Sequence, residues 1–205
     1  MSKGLKKRSV SLDMTAMCDM AFLLLTFFIL TAQMKPKEPV AINLPAAHAS
    51  DTVSVKGTIR ISIDNIGRVY LSLGDKQIRK NVLNTLNTNF DLKLEEEQIN
   101  SFSQADMFGF PLGDAKNSLD NLNNESFKQM GIPVDTTGGE LKTWLIASLS
   151  EYEQNQALLP SGKSNPIVAI HADKEIAYKY VKKVLEVVQS EGVKIDGFKL
   201  ITNIN

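Results

Sequence analysis

Asp19 sits within a run of apolar side chains, MCDMAFLLLTFFIL, residues 17–30. A carboxylate there is costly, because an aspartate at the centre of a membrane helix opposes insertion by ~2.5–3.5 kcal/mol. Between Met14 and Met34 the other polar side chains are Thr15, Thr26, Thr31 and Gln33. On an α-helix, Thr15, Asp19, Thr26 and Gln33 fall within roughly 40° of one another. They make one polar stripe, with Phe22, Leu23 and Leu30 completing that face, while Leu24, Phe27 and Phe28 turn toward lipid or other helices. Such a stripe marks a side that meets protein or water. Low dielectric disfavours the charged form of a carboxylate, so Asp19 has the chemistry to take up and release a proton. The same helix holds no base, no metal ligand set and no basic partner. The complementary polar groups therefore have to come from another chain.

The element that positions Asp19 is a helix over residues 13–34. At ~1.5 Å per residue its apolar run spans roughly 30 Å, the thickness of a bilayer's hydrocarbon core. Soluble helices this apolar on every face are rare. Lys3, Lys6, Lys7 and Arg8 precede the run, and Lys35, Lys37 and Glu38 follow it. Basic residues stay cytoplasmic, which places the N-terminus inside and the remainder outside. A cleaved signal peptide fits less well. The run is long, an acid interrupts it, and the small-x-small site Ala47-His48-Ala49 lies far downstream. Cys18, the single cysteine, lies in this segment, so the exported part has no disulfide. A formal net charge of zero gives no footprint of nucleic-acid binding.

The expected organisation is a cytoplasmic tail (1–12), a transmembrane helix (13–34), an extended linker (35–56) and a periplasmic α+β domain (57–205). In the linker, Lys35-Pro36-Lys37-Glu38-Pro39 ends the helix, and Ile42, Asn43, Leu44 and Pro45 form a short extended stretch. Its free backbone groups suit it to pairing with a sheet edge or a second copy. The domain opens with a β-hairpin. Residues 58–63 and 68–73 alternate polar and apolar around Asp64-Asn65-Ile66-Gly67, and Gly74-Asp75 stops the second strand. Val82, Leu83 and Leu86 then give residues 80–89 a helical face. At the far end, residues 166–171 read as an interior strand. Asp173 is the expected N-cap of a helix carrying Ala177, Val181, Val184, Leu185 and Val188, and Gly192 is its expected C-cap. Residues 198–202 read as a last strand. Strand, helix and strand in this order imply a crossover unit, so the domain is α+β with helices on one face of a sheet. Residues 90–139 are rich in Asn, Gln, Ser and Asp and read as a partly ordered surface insertion, with a helix suggested at 92–107. Another helix is expected at 140–156, with Leu141, Trp144, Leu145, Ala147 and Leu149 apolar.

Enzymatic constellations are not legible, and no enzyme activity is expected. His48 falls in the linker and His171 at a strand end, where a structural role suffices; neither has a second ligand at zinc-site spacing. No serine occupies a Gly-x-Ser-x-Gly elbow. Ser161-Gly162-Lys163-Ser164 looks like the tail of a phosphate-binding loop, but Ala157 stands where its first glycine belongs. Glu95-Glu96-Glu97 reads as a solvated helix face, not a metal site.

Asp13-Met14-Thr15-Ala16-Met17-Cys18-Asp19, the apolar run, and Ile42-Asn43-Leu44-Pro45 together resemble the ExbD/TolR family. The hairpin and the Ile170-His171-Ala172-Asp173 junction are also similar, so the likeness covers about residues 9–90 and 165–205. These are single-pass subunits of proton-driven motors in the inner membrane of Gram-negative bacteria. The resemblance implies that Asp19 carries the proton, with no cofactor besides the coupling ion. It implies a homodimer of these helices, against membrane lipid and inside a ring of an ExbB-like or TolQ-like polytopic partner. A TonB-like or TolA-like transducer would carry the work to the outer membrane. Two positions depart from the family pattern: Ala16 replaces a common proline and Asp13 a common asparagine. The 90–139 segment is absent from compact members. The alternatives are a TolR-like or flagellar-type stator subunit acting on the cell wall, and a membrane-anchored scaffold with an incidental acid.

Overall fold

The computed structural model describes residues 14–31, 57–122, 124, 127–134, 139–159, 165–173, 175–195 and 197–201. The chain divides into two compact units, Met1–Lys35 and Pro36–Asn205. In the first, α1 spans Met14–Thr31. Its 18 residues rise about 27 Å, and it is long and apolar enough to cross a membrane. No residue of α1 is buried. An apolar helix with no buried residue among those described needs lipid or other helices to cover it.

The second unit is α+β. Strands β1 (Thr58–Ile63) and β2 (Val69–Leu73) form the hairpin, followed by helices α2 (Lys76–Phe90), α3 (Glu96–Gln104), α4 (Ala115–Asp120) and α5 (Glu140–Gln154). Strand β3 (Ile167–Ala172), helix α6 (Tyr178–Val188) and strand β4 (Phe198–Ile201) complete it. The sheet order is β2-β1-β3-β4, antiparallel at β1–β2 and parallel at β1–β3 and β3–β4. Parallel β3 and β4 joined by α6 are the crossover unit that the apolar patterns imply. Cross-strand register stacks Ile61 with Leu71 and Ile170, and Ile59 with Leu73 and Val168. These residues and the buried faces of α2, α5 and α6 share one hydrophobic core, which sets the helices on one face of the sheet.

The hairpin turn is built around Asp64. Its Oδ1 accepts hydrogen bonds from the N–H groups of Ile66 (3.1 Å) and Arg68 (2.8 Å), and its Oδ2 pairs with Arg68 Nε at 2.6 Å. Gly67 supplies the positive φ of 88° that the turn requires. Asp75 ends β2 and also caps α2, accepting from the N–H of Gln77 and Ile78.

The reading of residues 90–139 as a surface insertion is overturned. Phe102, Phe108, Phe110, Leu112, Leu119 and Ile132 are buried in the central core. Phe108 exchanges two backbone hydrogen bonds with Leu71 (2.8 and 2.9 Å), and Ile132 N–H donates to Val69 at 2.8 Å. The segment therefore covers the outer edge of β2, which would otherwise present unpaired donors and acceptors. Its Asn and Ser content masked these six aromatic and aliphatic anchors, whose uneven spacing follows neither a helical nor a strand period throughout. The suggested 92–107 helix is shorter than expected. Asp91 and Lys93 take positive φ values of 46° and 54°, which separates α2 from α3.

Two caps at the far end also differ. Asp173 closes a turn, accepting from Glu175 N–H at 3.0 Å, and α6 starts later with Ala177 at its N-cap and no side-chain cap bond. Ala177 is accordingly exposed, while Val181, Val184, Val187 and Val188 are buried. Helix α6 ends with Gln189 as C-cap, and Gly192 serves the following turn with φ 95°.

Candidate functional site

Helix α1 carries the candidate site. Thr15, Asp19 and Thr26 all lie in its regular α-helical span, so the roughly 40° stripe predicted for them holds on the backbone. Asp19 is the one ionisable side chain of the helix other than Cys18, which is also exposed. Asp19 forms no hydrogen bond or ion pair with a described residue, and its side chain is exposed. Thr26 Oγ1 donates to the Leu23 carbonyl at 2.9 Å, and Thr31 Oγ1 to that of Phe27 at 2.8 Å. Their donors are thus spent on the helix's own backbone, which makes them tolerable in an apolar setting. The oxygen of Thr26 remains able to accept from a partner. Gln33 and Ile42, Asn43, Leu44 and Pro45 lie outside the described residues, as do Asp13 and His48.

Among its described residues the α+β domain gathers no comparable chemistry. Among the described residues, no group of three His, Cys, Asp or Glu could hold a metal ion. His171 lies in β3, in register with Ser62 of β1, and its Nδ1 is buried without a hydrogen-bond partner among the described residues. Burial, reinforced by Arg60 nearby, pushes its pKa down. Tyr70 and Tyr152 are buried and pushed up to about 12, chiefly by desolvation. Neither is poised to exchange protons near neutral pH.

Sequence reasoning missed two organising residues. Buried Arg79 of α2 donates from Nε to the Ser103 carbonyl at 2.9 Å and from Nη1 to the Leu73 carbonyl, with Asp106 at 3.8 Å. It ties the end of β2 to the last turn of α3. Buried Gln129 accepts from Gly109 N–H at 2.5 Å, and its carbonyl accepts from Tyr70 Oη at 3.3 Å. Nothing in their sequence neighbourhoods sets either apart from a solvated polar residue.

Among the described residues one helix is long and apolar enough to cross a membrane, it carries one carboxylate, and a compact α+β unit accompanies it in the same chain. The protein-family model for the biopolymer transport protein ExbD/TolR matches residues 6–199. The chain belongs to that family, whose members couple energy to biopolymer transport and work with ExbB/TolQ-like membrane proteins. Comparison with curated proteins and with solved structures gave no significant match.

Proposed function

We propose that this chain is the proton-carrying subunit of an inner-membrane motor and that Asp19 is the group the proton binds. The observation that carries this reading is the solitary carboxylate in α1, a largely apolar helix in which Thr26 and Thr31 donate to its own backbone. A charge kept at that cost needs a use. Two copies of α1 would sit inside a ring of an ExbB-like polytopic protein, which would supply polar partners for Asp19 and the Thr15, Thr26 and Gln33 stripe. Each proton crossing the membrane yields ~2.3 kcal/mol per 100 mV, enough to bias one helix between neighbouring positions in the ring. The N-terminus would be cytoplasmic and residues 40–205 periplasmic, where a TonB-like transducer would take up the work. In a homodimer, residues 42–45 would pair across copies or add to a sheet edge. The β2 edge is already occupied by Phe108 and Ile132, which leaves β4 as the favoured acceptor.

Affinity purification of the intact protein from native membranes tests the assembly. Copurification of a polytopic ExbB-like or TolQ-like protein, retained in Asp19→Asn, supports the motor reading, and the transducer recovered distinguishes a TonB-type from a Tol-type system. Recovery of the chain as a solitary membrane protein contradicts it.

A further inference from the structure

A cleft of about 300 Å³ opens in the α+β domain where the hairpin turn, the 130–134 segment and α6 meet. Its apolar floor is Val69, Ile132 and Val184, and its rim carries Met130, Tyr180 and Lys183. Two glycines fix its walls. A Cβ on Gly67 would lie 2.5 Å from the Tyr180 ring, and one on Gly131 would lie 2.8 Å from Arg68 Cβ. Both glycines hold positive φ, 88° and 86°. Tyr180 and Arg68 therefore rest against bare backbone, and the cleft is a product of the fold rather than of side-chain chance.

Charge gives the cleft a sign. Among the described residues that line it there is no Asp or Glu. The nearby Asp64 is buried and already engaged by Arg68 and two backbone N–H groups. Lys183 is exposed and has no ion-pair partner among the described residues. One turn earlier, Lys179 lies 4.8 Å from the centre of the Tyr180 ring. Met130, 58% exposed, adds an unbranched, adaptable side chain of the kind used at peptide-binding surfaces.

We infer that this cleft docks an extended peptide segment of a partner protein, seating a bulky apolar side chain on Val69, Ile132 and Val184 and an adjacent carboxylate against Lys183. The volume suits one or two side chains and excludes a folded body. The electrostatic part adds selectivity and on-rate more than affinity. The cleft lies wholly in the α+β domain, and its occupancy does not depend on Asp19.

The test uses the full chain in nanodiscs and two fluorescein-labelled octapeptides. One carries two leucines followed by two aspartates; the other has lysines in place of the aspartates. Fluorescence anisotropy is expected to detect the acidic peptide and not the basic one. Lys183→Glu, on an exposed helix position, is expected to weaken binding about fivefold at low salt, with the difference shrinking as salt rises. Val134→Trp, which fills the cleft, is expected to abolish binding while circular dichroism stays unchanged. Equal binding of both peptides, no binding of either up to millimolar concentration, or binding indifferent to Lys183→Glu overturns the inference. A Val134→Trp chain that fails to fold leaves the decision to Lys183→Glu.

Discussion

Phe108→Ala removes a ring that ties the 90–139 segment to the core. Phe108 is fully buried. Its ring centre lies 4.6 Å from that of Phe102 and 4.9 Å from that of Trp144. Truncating a buried phenylalanine costs about 3–5 kcal/mol. Two close aromatic neighbours place this site toward the upper end, since such pairs add ~0.5–1.5 kcal/mol beyond area burial. The backbone hydrogen bonds to Leu71 survive the substitution, so the loss is one of packing. In a domain of this size ~1 kcal/mol moves Tm by about 2–4 °C, which gives a fall of roughly 10 °C. Trp144 is the only tryptophan, so thermal unfolding of the detergent-solubilised chain can be followed by its fluorescence. The variant should unfold earlier and show red-shifted emission before unfolding, as Trp144 loses a wall of its pocket. A surface insertion would instead keep the change within ~0.5 kcal/mol, and an unaltered Tm with unaltered emission would refute the packing described for Phe108.

Arg79→Ala should cost about 2–4 kcal/mol, because the Leu73 and Ser103 carbonyls lose a charged donor; Arg79→Lys should fall between, and urea unfolding with an unchanged m-value reads both. Gly109→Ala should destabilise by ~1–3 kcal/mol, since the added Cβ would overlap the Tyr70 ring; a neutral result in the same assay would contradict the close approach. For His171, burial and Arg60 lower the folded pKa, so the unfolded chain takes up the proton first as pH falls. The stability due to neutral His171 is then full above the unfolded value of ~6.5 and is lost as pH falls below it. Melting temperature measured between pH 7.5 and 5 should drop more steeply in the native chain than in His171→Gln; parallel curves would contradict this. A periplasm-active reporter fused after residue 205 should be active and a cytoplasm-active one silent; the reverse would overturn the proposed topology.

The elements with strong periodicity were legible without coordinates. Strand β1 matches the 58–63 alternation, and α5 starts at Glu140 as its apolar spacing implies. The crossover from β3 through α6 to β4 follows from a continuous apolar run, a helical stripe and a second run. Caps were read less well, because an aspartate after a strand serves a turn as readily as a helix. Asp173 closes a turn, whereas Asp75 both stops β2 and caps α2. The 90–139 segment was illegible for a different reason. Its core residues are held by tertiary partners such as Leu71 and Val69, which lie far away in sequence. The stripe of α1 was legible because helical geometry alone relates Thr15, Asp19 and Thr26. Under the proposed function another chain lies opposite that stripe, and no single sequence encodes it.

Proton flux through the assembled complex tests the role of Asp19 most directly. The native chain, Asp19→Asn and Asp13→Asn would each be reconstituted with the polytopic partner into liposomes carrying an internal pH dye and an imposed membrane potential. Asp19→Asn keeps the size and one carbonyl acceptor but cannot titrate. Were the helical spacing continued to Asp13, it would fall about 120° from Asp19 and off the stripe, so Asp13→Asn serves as the control. The account predicts assembly at native levels for all three, native flux for Asp13→Asn and flux at the protein-free baseline for Asp19→Asn. Native flux through Asp19→Asn at native assembly would contradict it.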